Sequence, residues 1–108
     1  MTERQRYYYE KRLDDTLFQT WGASYGWIKA AGENTRDITF ISRLRVKMLI
    51  LIAECDDMVV PKETMKYAIR QDNTKYVLFH EGKHELFNDT EETIEKFWNE
   101  IFGFLEQE

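Results

Sequence analysis

At 108 residues, 43% hydrophobic and 15% aromatic, the chain has the length of one small domain and enough apolar mass to bury a core, which argues against disorder. A net charge of −5 and a pI near 5.1 argue against a nucleic-acid binder, which carries a basic face. The single cysteine, Cys55, excludes an internal disulfide framework and fits a reducing compartment such as the cytoplasm. The longest apolar run falls far short of the roughly 20 residues of a membrane span, and the polar, aromatic start holds no signal-peptide core.

Residues 1–20 read as a charged, Tyr-rich arm with Arg4, Arg6, Tyr7, Tyr8, Tyr9, Lys11 and Arg12. Its apolar periodicity is poor, so a helix and an extended segment both remain open. Residues 21–108 read as one further unit, since no Pro- or Gly-rich linker divides them. Ser24 is placed to cap a short helix ending near Gly32, and Asp37 to cap another turn over Ile38, Ile41 and Leu44. The runs at 46–53 and 76–79 are short, apolar and almost without alternation, as expected of parallel strands buried on both faces. Between them, residues 61–71 suit one crossover helix with Pro61 at its start. The result is a βαβ unit and an α/β fold class. Asn88, Asp89 and Thr90 then cap a last helix with Glu91 and Glu92 in its first turn, where the helix dipole favours anions. Its residues Ile94, Phe97, Trp98, Ile101, Phe104 and Leu105 follow the spacing of one apolar stripe facing a core.

Three constellations carry chemistry. His80-Glu81-Gly82-Lys83-His84 fits H-E-x-x-H, in which two imidazoles on one helix face bind zinc. The preceding residues favour a strand, however, and Gly82 would cost roughly 1 kcal/mol inside a helix, so no metal is expected. Gly22-Ala23-Ser24-Tyr25-Gly26 fits the nucleophile elbow G-x-S-x-G, and the order Ser24, Asp57, His84 follows the hydrolase order serine, acid, histidine. Against Ser24 as nucleophile stand the bulk of Trp27 and Ile28, where an elbow helix packs closely, and the short distance along the chain to the acid. A glycine-flanked helix cap is the plainer reading. The third constellation is Asp57 with His84, on the loops that leave the two strands at their carboxyl ends, the edge of an open α/β sheet where ligands bind. The acid would orient the imidazole, and the imidazole would take and return a hydroxyl proton. The structural alternative is a helix-capping Asp57 and a polar turn residue at His84. Asp56 adjoins Asp57, and only the Met58-Val59 that comes next favours the latter.

The segments Trp21-Gly22-Ala23-Ser24-Tyr25-Gly26-Trp27-Ile28, Leu49 through Val60, and His84-Glu85-Leu86-Phe87-Asn88-Asp89, with the closing amphipathic helix, come in a suggestive order. From about Trp21 to Leu105 the chain resembles the C-terminal part of an α/β-hydrolase of the lysophospholipase and monoacylglycerol-lipase-like kind. The resemblance implies that Asp57 is the triad acid and His84 the triad base. It also places the segment around Ser24 after the cap of that fold and not at its elbow. Lys47 departs from the pattern, standing where such strands are often preceded by proline.

The resemblance carries expectations for fold, activity and assembly. The fold is the C-terminal βαβα part of an α/β-hydrolase, a short parallel sheet with flanking helices, completed by another chain. The activity is that of a serine ester hydrolase on a lipid-like ester such as a lysophospholipid or monoacylglycerol, needing no cofactor, with the isolated chain inactive. Trp21, Tyr25 and Trp27 would line an acyl pocket, with ordinary core packing as the alternative. Open sheet edges and apolar faces usually pair with another chain, so a homo-oligomer or association with an N-terminal part is expected, in the cytoplasm or peripheral to a membrane. A non-catalytic oligomerisation module with a hydrolase half-fold is the competing function, and a zinc hydrolase through His80 and His84 is a third reading behind it.

Overall fold

In the computed structural model, which describes residues 2–18, 22–41 and 44–107, the strand pair sits in the second half of the chain. β1 (Met48–Ala53) and β2 (Thr74–Phe79) run parallel. Their register pairs Met48 with Thr74 and Ala53 with Phe79. The helices are α1 (Glu3–Asp14), α2 (Tyr25–Phe40), α3 (Pro61–Ile69) and α4 (Glu91–Leu105), with 3-10 turns at Thr16–Phe18 and Leu86–Asn88. The described residues therefore form a mixed α/β structure whose centre is the βαβ unit β1–α3–β2.

Local chemistry explains most of the boundaries. α3 starts at Pro61, whose missing N–H costs nothing in the first turn. β1 starts two residues later than the apolar run suggests, because Met48 N–H bonds Asn73 O (3.1 Å) at the turn before β2; Val46 stays 62% exposed. That same turn sets the start of β2 at Thr74, two residues before the apolar run. The buried Gln71 side chain supports it from the other side by accepting from Leu44 N–H (3.0 Å).

The strands are not buried on both faces, as their composition suggests. Only their carboxyl ends are: Ile52, Ala53 and Phe79 are buried, with Ala68 of α3 and Leu86 of the turn after β2, while Lys75 and Tyr76 are exposed. Leu51, Val77 and Phe97 pack around Ala53, Phe79 and Leu86. The core is thus concentrated at the end of the sheet from which the acidic and histidine loops depart. α4 delivers Phe97 to it and is tied to the sheet by Lys96 Nζ donating to Leu78 O (2.7 Å) and by the Lys75–Glu100 ion pair (3.1 Å). Its stripe is narrower than the sequence spacing implies: Trp98 and Leu105 are exposed, and Trp98 instead stacks on the exposed Phe102 along the helix surface.

The described residues of the first half are mostly helical and almost entirely exposed. α1 settles the ambiguity of the N-terminal arm in favour of a helix. Thr2 Oγ1 accepts from Gln5 N–H, and Gln5 Oε1 accepts from Thr2 N–H, a complete capping box. Ser24 does cap α2, but that helix runs through Gly32 to Phe40 and absorbs Asp37 into its interior, where the sequence suggests a separate capped turn. A glycine ends a helix where the chain turns left-handed, and Gly32 does not take a positive φ.

Candidate active site

Two tight turns leave the carboxyl ends of the strands and are stitched together. After β1, Asp56 N–H returns to Ala53 O (3.4 Å); after β2, Gly82 N–H returns to Phe79 O (3.0 Å). Between the turns, Glu54 N–H bonds Phe79 O and Cys55 N–H bonds Gly82 O, both at 3.0 Å, and Cys55 Sγ lies 3.3 Å from His80 O. The fit depends on Gly82. A Cβ there would stand 2.6 Å from Leu86 Cδ2 and 2.8 Å from Phe79 Cβ, closer than atoms in a packed core approach.

This stitching brings Asp56, and not Asp57, against His84. His84 Nδ1 lies 2.9 Å from Asp56 Oδ2 and 3.1 Å from Oδ1. The Asp56 side chain is only 7% exposed, the imidazole 46%. The aspartate against His84 is therefore Asp56, one position before the Asp57 expected from the sequence. The first turn beyond β1 encloses Asp56, whose Oδ1 also accepts from Met58 N–H (2.8 Å) and Val59 N–H (3.1 Å). Asp57 is exposed and lines the neighbouring cleft. The Met58-Val59 that favours Asp57 in the sequence does not decide between them, since each aspartate precedes backbone N–H groups at the offsets an Asx turn uses.

Burial pushes the Asp56 carboxyl up, but the hydrogen bonds from His84 and from the Met58 and Val59 N–H groups outweigh it and hold the carboxyl below its ordinary value. Asp56 is thus an anion at neutral pH with its acceptor positions directed to fixed donors. A neutral imidazole that donates Nδ1–H to such a carboxylate keeps its lone pair on Nε2. The arrangement is a nearly buried acid and an oriented, more exposed imidazole whose Nε2 is free of the contact with Asp56.

The cleft beside this pair has a volume of about 440 Å³, and His84, Asp57 and Lys83 line it together with Tyr8, Tyr9 and Arg12 of α1. α1 is joined to the histidine loop by the ion pair of Arg12 with Glu85 (3.6 Å) and to the first residue of α4 by that of Arg4 with Glu91. The poor periodicity of residues 1–20 concealed this role, because α1 buries no side chain and is held by charge.

The other sequence candidates are placed elsewhere. Ser24 is a helix cap with extended backbone (φ −70°, ψ 157°), its Oγ accepting from Trp27 N–H (3.1 Å). A nucleophile elbow strains the serine between a strand and a helix; here no strand precedes Ser24 among the described residues, and no described non-glycine residue has positive φ. Ser24 is not among the residues lining the His84 cleft. Tyr25 and Trp27 are 93% and 65% exposed on the first turn of α2 and do not line that cleft either; Trp21 lies outside the described residues. His80-Glu81-Gly82-Lys83-His84 forms turns, not a helix. Its two imidazoles engage different carboxylates, His80 that of Glu54 and His84 that of Asp56. Among the described residues no three His, Cys, Asp or Glu side chains group as a ligand set for a metal, and no helix is long and apolar enough to cross a membrane.

Comparison with family models, with curated proteins and with solved structures gave no match.

Proposed function

We propose that this chain carries the acid–histidine half of the catalytic machinery of a serine ester hydrolase, similar to the C-terminal part of a lysophospholipase or monoacylglycerol-lipase-like α/β-hydrolase. The observation that supports it most is the contact of Asp56 Oδ2 with His84 Nδ1, built by two loops at the carboxyl ends of adjacent parallel strands. In this reading His84 Nε2 takes the proton of a serine hydroxyl as its oxygen attacks the ester carbonyl. It then returns the proton to the departing alcohol, leaving an acyl-enzyme. A water, deprotonated by the same nitrogen, attacks the acyl carbon, and the proton passes to the serine oxygen as the carboxylic acid leaves. Asp56 keeps the ring in its productive tautomer and stabilises the imidazolium in each step. The serine comes from polypeptide other than the described residues, and the substrate class is a carboxylic ester with a lipid-like acyl group.

The test is fluorophosphonate labelling, read by mass, of the protein purified in its native assembly. A serine facing His84 is expected to take one label. Asp56→Asn and His84→Ala are each expected to slow labelling by roughly 10⁴-fold, the loss that replacing a triad aspartate by asparagine causes. Labelling that is unchanged in both variants would remove the proposal.

The exposed Trp98, Phe102 and Leu105 on α4 favour a second reading, a non-catalytic interaction module that retains the half-fold. A folded assembly that takes no label and hydrolyses no ester would support that reading instead.

A further inference from the structure

The peptide that joins Gly82 to Lys83, one residue before His84, is held at both poles. Its carbonyl, Gly82 O, accepts from Cys55 N–H in the acid loop (3.0 Å). Its N–H, that of Lys83, donates to Asp89 Oδ2 (2.8 Å). The other carboxylate oxygen of Asp89, Oδ1, accepts from Thr90 N–H (2.7 Å) at the cap of α4. Asp89 is 3% exposed, so its carboxylate is largely shielded from bulk water. One buried carboxylate therefore links the backbone just before His84 to the start of α4, while the opposite pole of the same peptide is fixed to the loop that carries Asp56.

We propose that Asp89 is a positioning residue for His84: it fixes the Gly82–Lys83 peptide and so sets the imidazole against Asp56. This deepens the acid–histidine reading above and rests on it. Both partners of the carboxylate are N–H donors, so the residue type matters. An asparagine offers one oxygen and one NH2 group. It can accept from only one of the two N–H groups and meets the other with a donor, leaving a buried polar group unpaired. Asp89→Asn therefore keeps the volume and removes half of the tie.

The experiment is a long-range 1H–15N correlation of the two histidine rings in the full chain. In the wild type, His84 is expected to show the tautomer with the proton on Nδ1, and Asp56→Asn sets the scale for its loss. Asp89→Asn is expected to move the His84 nitrogen shifts at least half of the way to the Asp56→Asn values. His80, which is paired with Glu54, should stay at its wild-type position. His84 shifts that remain wild-type in a folded Asp89→Asn protein would overturn the proposal, and so would equal movement of His80 and His84. Should Asp89→Asn fail to fold, amide exchange in the unaltered chain decides. Lys83 N–H is expected to be protected as well as Cys55 N–H, and exchange of Lys83 at the rate of a free amide would overturn the tie. The readout is ring geometry and not ester turnover, so a chain that proves inactive leaves this result standing and counts only against the hydrolase reading.

Discussion

The site turns on which of two adjacent aspartates is enclosed. Asp56 is folded inward by the turn after β1 and receives three donors, while Asp57 stays at the surface. The environment of Asp56 makes a prediction about pH. Its carboxyl is held below its ordinary value in the folded protein, so the unfolded chain takes up the proton first as pH falls. The stabilisation from this group is then fully present above the unfolded value of about 3.9, and it is lost as pH falls through the lower folded value. Urea unfolding of the wild type and of Asp56→Asn at a series of acid pH values should show a stability gap that closes as pH falls below about 4. A gap that stays open as pH falls well below about 4 would mean that the carboxyl is not held below its ordinary value.

At the scale of elements, two serine and threonine caps look alike in sequence and have different consequences. Thr90 Oγ1 accepts from Thr93 N–H at the start of α4 (3.3 Å), which delivers Phe97 to the core beside Phe79 and Leu86. Ser24 caps α2, which buries no residue. Replacing a capping hydroxyl residue by alanine costs about 1 kcal/mol. Thr90→Ala should therefore lower the stability of the cooperative unit by about 1 kcal/mol in denaturant unfolding. Ser24→Ala should fray the start of α2 with little change in the same transition, and it should leave fluorophosphonate labelling intact. α1 forms a third case. It is attached by partly exposed ion pairs, which contribute little individually and are screened by salt, so its attachment should weaken as ionic strength rises.

The molecule as a whole is loose for its length. Its radius of gyration is 16.3 Å, against about 13 Å for a compact chain of this size. The reasons are visible in the elements: β1 and β2 pair only with each other among the described residues, and α2 leaves Tyr25, Trp27, Ile28 and Phe40 exposed. Each strand keeps an unpaired edge, and α4 presents Trp98, Phe102 and Leu105. Unpaired edges and contiguous apolar surface favour association. Sedimentation at micromolar concentration is expected to show an assembly larger than one chain, and Trp98→Lys with Phe102→Lys is expected to shift it toward the monomer. A wild-type monomer that stays unchanged with concentration would contradict this.

Much of this architecture was legible in the sequence, for reasons of local chemistry. The two β-rich apolar runs, Pro61 at the head of the crossover helix and the Thr90 cap with Glu91 and Glu92 determine a βαβ unit followed by a helix, because each signal acts through backbone groups within a few residues. The positions of an acid and a histidine at the carboxyl ends of the strands follow from that order. What only the tertiary structure decided depends on contacts between distant residues. Asp56 in place of Asp57 is selected by the hydrogen bonds that join residues 54–55 to residues 79–82. The failure of Ser24 to reach His84 follows from where α2 lies. The role of α1 beside the cleft depends on Arg4 and Arg12 finding Glu91 and Glu85, more than seventy positions away in the chain. Periodicity records which face of an element is apolar, but it carries no information about the partner an exposed charge will meet.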